Sequence, residues 1–85
     1  MKETTQKILL YATTWCYQSR NTRAFLDRHQ VDYEFIDIDK DQAGEEFVLK
    51  TNYGYRSVPT LLFPDGTTLT EPSQIELLTK LGLEE

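Results

Sequence analysis

The stretch Lys7-Ile8-Leu9-Leu10-Tyr11-Ala12 constrains this chain more than any other, because its apolar residues run on from Ile8 without alternating with polar ones. A strand with one wet face alternates apolar and polar side chains. A short continuous apolar run instead suits a strand covered on both faces, inside a sheet that carries helices above and below. With 85 residues there is room for one core and one domain, taken as residues 1–85. Trp15, five Tyr and four Phe supply that core, and the charged fraction of 27% is ordinary for a folded chain, so intrinsic disorder is not expected.

The remaining elements follow from period and punctuation. No Gly or Pro interrupts residues 16–30, and Thr22, Phe25, Leu26 and His29 fall at helical spacing, so a first helix starts near Cys16. Val31, Tyr33 and Phe35 alternate with Asp32 and Glu34 ahead of Ile36, which reads as a second, partly exposed strand. Asp39 with Gln42 resembles a capping box for a second helix ending near Asn52, before Gly54. Thr60-Leu61-Leu62-Phe63, the turn signal Pro64-Asp65-Gly66 and a return through Thr70 form a hairpin. Ser73 with Glu76 is a second capping box, Ile75, Leu78 and Leu81 supply an apolar stripe, and Gly82 stands where helices stop. The order β-α-β-α-β-β-α is that of an α/β thioredoxin-like fold, a central four-stranded mixed sheet flanked by three helices. Its first β-α-β unit is parallel and right-handed. Residues 13–19, 53–60 and 70–73 are the loops able to carry function.

Charge and cysteine count narrow the chemistry. A net charge of -5 argues against nucleic acid as the main partner, since phosphate binding is carried by Lys and Arg. The five apolar residues Ile8–Ala12 are too few for a signal-peptide core or a membrane span, so no membrane association and a cytoplasmic location are expected. His29 is the sole histidine, with no ligand-bearing neighbour, and no metal site is expected. One cysteine, Cys16, cannot close an internal disulfide, so it is either an inert buried side chain or a reactive thiol.

Cys16 falls between a buried strand and the first turn of a helix, where unsatisfied backbone N–H groups and the helix dipole favour a thiolate, the nucleophile of disulfide exchange. The local order Thr14-Trp15-Cys16-Tyr17-Gln18-Ser19 is C-x-x-S. The Ser19 hydroxyl can donate a hydrogen bond back to a thiolate, or it can be a solvated helix-start residue without a role. Ser57-Val58-Pro59-Thr60 precedes the third strand, and a proline there suits either a cis bond or a plain trans one.

With W-C-x-x-S after the first strand and S-V-P-T before the third, the chain resembles the glutaredoxins, specifically their mycoredoxin-like branch. The likeness extends through Tyr53-Gly54-Tyr55-Arg56 and Thr70-Glu71-Pro72-Ser73. It implies a thiol–disulfide oxidoreductase with Cys16 as nucleophile, Ser19 as its catalytic neighbour and Pro59 in the cis form. It also implies a substrate groove formed by Trp15, Tyr17, Arg56, Ser57, Val58, Pro59, Thr70 and Ser73, with backbone hydrogen bonds at Val58 and a carboxylate received at Ser73. Arg20 or Arg56 would add a charge-assisted contact. Ser57 stands where the family usually has threonine, and Ser19 where it usually has a second cysteine, whether by nature or by deliberate replacement. That leaves a monothiol route. It needs no bound cofactor, with a low-molecular-weight thiol (glutathione, mycothiol or bacillithiol) as co-substrate and S-thiolated or disulfide-containing proteins as partners. A monomer is the simplest expectation.

Two other readings compete. An iron–sulfur carrier would use C-G-F-S, which Tyr17 and Gln18 do not match, and Thr13 and Thr14 stand where such proteins often carry a basic residue. A non-catalytic binding module would show an ordinary thiol pKa of about 8.5 and no exchange with mixed disulfides.

Overall fold

The computed structural model describes residues 7–83; expectations that rest on residues 1–6 lie outside the described residues. Among the described residues the order is β1 (Ile8–Ala12), α1 (Tyr17–Arg28), β2 (Tyr33–Asp37), α2 (Gln42–Thr51), β3 (Thr60–Leu62), β4 (Thr68–Thr70) and α3 (Gln74–Leu81). The strands lie in the order β2-β1-β3-β4, with β1 parallel to β2 and antiparallel to β3, and β4 antiparallel to β3. The mixed sheet and the element order match the expected α/β thioredoxin-like fold.

The continuous apolar run of β1 is explained by two cores. Ile8, Leu10 and Ala12 face one side with Phe25 and Leu26 of α1, Leu61 and Leu77 of α3. Leu9 and Tyr11 face the other, with Ile36, Phe47, Val48 and Leu62. Period two along the strand therefore sends alternate residues to α1 and α3 or to α2, and no position of β1 is left for a charged side chain. On the α2 side the packing is close enough that a side chain at Gly44 would force its neighbours to shift. A Cβ at Gly44 would stand 2.9 Å from Ile36 Cγ2 and 3.4 Å from Tyr11 Cδ1.

The helix ends refine the expectations. Helix α1 stops at Arg28, short of residue 30, because Gln30 turns into the left-handed region at φ 58° and the Val31 N–H closes on the Leu26 carbonyl at 2.9 Å. The cap of α2 is Asp41, not Asp39: the Asp41 carboxylate accepts from Gly44 N at 3.0 Å, whereas Asp39 sits in the preceding turn with its N–H on Asp37 Oδ1. Helix α3 has the full reciprocal box, Ser73 Oγ accepting from Glu76 N at 3.1 Å and Glu76 Oε1 from Ser73 N at 2.8 Å, and it ends on Gly82 at φ 70°. Ser73→Ala is expected to cost about 1 kcal/mol, roughly 4–8 °C of melting temperature in a domain of this size, while Ser73→Asp keeps most of it. Thermal melts of the two variants check this. No helix among the described residues is long and apolar enough to cross a membrane.

Candidate functional site

Cys16 is the N-cap residue of α1, with extended backbone at φ -78° and ψ 126°, and its carbonyl accepts the first helical bond from Arg20 N at 3.1 Å. The side chain is half-buried. It makes no full capping hydrogen bond, and the first turn of α1 contains no acid that would compete with a thiolate for the exposed N–H groups. Desolvation pushes the thiol pKa up. The Ser19 hydroxyl, then the backbone N–H groups of Ser19 and Gln18, outweigh it, so the net shift is below the ordinary thiol value even with Glu71 acting upward. Ser19 is completely buried, and its Oγ has no well-formed hydrogen bond in the structure. A buried hydroxyl left in that condition gains most when the sulfur beside it becomes an anion able to accept its hydrogen bond.

The second wall of the site is the loop before β3. The Val58-Pro59 peptide bond is cis, and Pro59 is fully buried. The Pro59 carbonyl accepts from Glu71 N at 2.7 Å, which ties this loop to the segment after β4, where Glu71 takes a left-handed φ of 49°. Val58 packs its side chain on the Tyr11, Ile38 and Val48 cluster. Its own N–H and C=O take no part in the backbone bonds among the described residues.

Asn52, the C-cap of α2, braces both segments. Its Nδ2 donates to Val48 O at 2.9 Å and Thr60 Oγ1 at 3.1 Å, while its Oδ1 accepts from Thr70 Oγ1 at 2.7 Å. Thr60 in turn donates to the Ser57 carbonyl at 2.8 Å. The Thr70 hydroxyl is thus given to Asn52. Ser73 Oγ is likewise committed to its own helix. Arg56 pairs with Asp39 and, through Nε, with Glu45 Oε2 at 2.7 Å, so its charge is shared by two carboxylates of this chain. Trp15 and Tyr17 flank the cysteine with 65% and 72% of their surface exposed, and the Trp15 indole donates to Asp39 Oδ2 at 2.8 Å.

A thiol of lowered pKa at a helix N-terminus, in a chain that also carries a cis-proline loop tied to Glu71, whose charge acts on that thiol, is equipped for disulfide exchange. The glutaredoxin family model matches residues 8–67. The chain belongs to the glutaredoxin family. A glutaredoxin-like relative of Mycobacterium tuberculosis is 39% identical over 77 residues, covering 91% of this chain and 92% of the relative. Mycoredoxin 1 of Corynebacterium glutamicum is 38% identical over 74 residues, covering 87% of this chain and 91% of its own. Among solved structures, a mutant of the thioredoxin-like protein BC3987 superposes with a TM-score of 0.81 at 30% identity, covering 94% of this chain and 100% of that one. Family membership gives this glutaredoxin a thiol–disulfide oxidoreductase role, as expected from its W-C-x-x-S and S-V-P-T segments.

Three residues of this glutaredoxin's site are not evident from the sequence. Asp39 reads as a cap and is instead the shared acceptor for Trp15 and Arg56. Asn52 reads only as a helix end, although Asn at a C-cap beside strand threonines is a recognisable brace. Glu71 carries a carboxylate whose charge reaches the thiol, in a segment where the sequence points only to its neighbours.

Proposed function

We propose that this glutaredoxin exchanges disulfides through Cys16 alone. The reading is carried by one observation: the sequence contains a single cysteine, and it caps α1 with its pKa lowered. The Cys16 thiolate attacks the small-thiol sulfur of a protein mixed disulfide. One S–S bond forms to Cys16 as the old one breaks, and the protein leaves as a thiolate that takes up a proton. A second molecule of small thiol, as thiolate, then attacks the small-thiol sulfur on Cys16, releasing a symmetric small disulfide and restoring the Cys16 thiolate. Ser19 cannot attack the Cys16 mixed disulfide, and its role is to stabilise the thiolate in both its attacking and leaving forms.

In this reading the bound thiol lies in an extended form along Val58, whose free N–H and C=O pair with it, with Ser57 and Pro59 shaping the groove and Trp15 and Tyr17 covering the sulfur. Arg56, Thr70 and Ser73 border the groove through their positions, their side-chain groups being engaged with Asp39 and Glu45, Asn52 and Glu76. The co-substrate is a low-molecular-weight thiol of the glutathione, mycothiol or bacillithiol kind. The named relative mycoredoxin 1 supports the same class of protein. A single thiol that must remain reduced suits a reducing compartment such as the cytoplasm, and the working state in this reading is a monomer.

The reading is tested by incubating the reduced protein with a peptide carrying glutathione as a mixed disulfide, followed by mass spectrometry. The expected product is the small thiol on Cys16 and free peptide; a peptide adduct or an unmodified protein would sink it. Ser19→Ala removes the nearest thiolate donor, so the Cys16 pKa rises. Since the reactive form lies above the pKa, alkylation at neutral pH slows several-fold and the rate profile moves to higher pH. An unchanged profile would leave Ser19 without this role.

A further inference from the structure

The bulkiest side chain beside the nucleophile is mostly exposed. Trp15 leaves 65% of its surface in water, yet its indole N–H is directed to Asp39 Oδ2 at 2.8 Å, across 24 positions of sequence. The other oxygen of the same carboxylate takes Arg56, which stands three positions before Pro59 and is itself anchored on Glu45 of α2 at 2.7 Å. The Asp39 backbone is fixed in turn, its N–H on Asp37 Oδ1 at 3.0 Å, at the end of the strand that pairs with β1. One carboxylate therefore joins the segment that bears Cys16 to the segment that bears the cis-proline, from a third element that touches neither reacting sulfur. A two-point acceptor holding an indole N–H and a guanidinium orients both more narrowly than packing of exposed rings could.

We infer that Asp39 is a positioning residue for disulfide exchange, setting through Trp15 and Arg56 the spacing of the two walls between which the substrate disulfide is received. The inference rests on the exchange reading for Cys16 and adds to it a residue that never contacts the sulfur. Because Asp39 acts on the walls and not on the thiol, its loss should weaken substrate capture while leaving the nucleophile as reactive as before. Trp15 is the only tryptophan, so its fluorescence reports directly on whether the indole is held.

The experiment compares the wild-type chain with Asp39→Ala and Asp39→Asn in three measurements: steady-state exchange on a glutathione-bearing peptide, alkylation of Cys16 across pH, and fluorescence anisotropy decay of Trp15. For Asp39→Ala the expected result is a KM raised about tenfold with kcat within about twofold. The alkylation profile stays in place and the indole gains fast local motion. Asp39→Asn keeps an amide oxygen for the indole but loses the charge for Arg56, so it should retain slow Trp15 anisotropy and show an intermediate KM. Unchanged anisotropy in Asp39→Ala, or a fall in kcat with KM constant, overturns the inference. A wild-type chain inactive on the peptide would count against the exchange reading itself, and the anisotropy of Asp39→Ala then decides alone whether Asp39 holds Trp15.

Discussion

Cys16→Ser is expected to bring thiol–disulfide exchange down to the uncatalysed background without loosening the fold. The sequence contains no other thiol to take over, and a hydroxyl is not ionised at neutral pH, so no nucleophile remains. Stability should move the other way. Cys16 occupies the N-cap of α1 and makes no full capping hydrogen bond, whereas serine is among the preferred N-cap residues, accepting from the N–H groups of the first turn. A gain of up to about 1 kcal/mol is expected, read as a higher denaturation midpoint alongside the lost activity. Residual exchange in the purified variant would place the chemistry elsewhere. A loss of stability would show that the thiol contributes more to the cap than its geometry indicates.

Phe25→Ala has the largest expected effect on stability. The ring is completely buried at the centre of the core formed by β1, α1 and α3, in contact with the His29 ring at a centroid distance of 4.4 Å and beneath the Arg28 guanidinium at 5.6 Å. Deleting it removes its apolar burial and leaves a cavity that the sheet on one side and α3 on the other cannot readily fill, at a cost of about 3–5 kcal/mol. A domain of this length has only about 4–13 kcal/mol in total, so the variant loses a large share of it. Urea unfolding should show the midpoint falling by more than about 1 M. Tyr17→Ala, also in α1 but 72% exposed, should change stability by no more than about 0.5 kcal/mol. Similar losses in the two variants would contradict the assignment of the core.

Where a local rule meets no competing demand, the structure follows it. The unbroken apolar run of β1 implies cover on both faces, and α1 with α3 on one side and α2 on the other provide it. Ser73 with Glu76 and the closing Gly82 mark α3 at both ends, because a capping box and a left-handed stop are made by residues within a few positions of one another. Cys16 at the start of α1 is legible for the same reason, as the thiol, the helix N–H groups and Ser19 share one turn. The choice between Asp39 and Asp41 is not. Both stand just ahead of α2 and both are acceptable caps; the helix starts at Gln42, so Asp41 caps it, while Asp39 is taken by Trp15 and Arg56, which lie 24 and 17 positions from it in the chain.

The same limit applies to the groove. Thr70 and Arg56 are expected to face a ligand, and Ser73 both to cap α3 and to receive a carboxylate, yet each has a partner within the protein: Asn52, Asp39 with Glu45, and Glu76. Ser73 meets its partner inside one turn, so its commitment could be read from the chain alone. Arg56 and Thr70 meet theirs only through the tertiary fold, in which β1 pairs with β2 in parallel and with β3 in antiparallel register and so brings distant segments of the chain together. The sequence by itself determined the order of the elements and the family and placed its one thiol at a helix start, since helix periodicity and capping are short-range effects. Only the tertiary structure decided which polar side chains around that thiol are free and which are spent, because hydrogen-bond partners are chosen by proximity in space, and that proximity is created by the sheet.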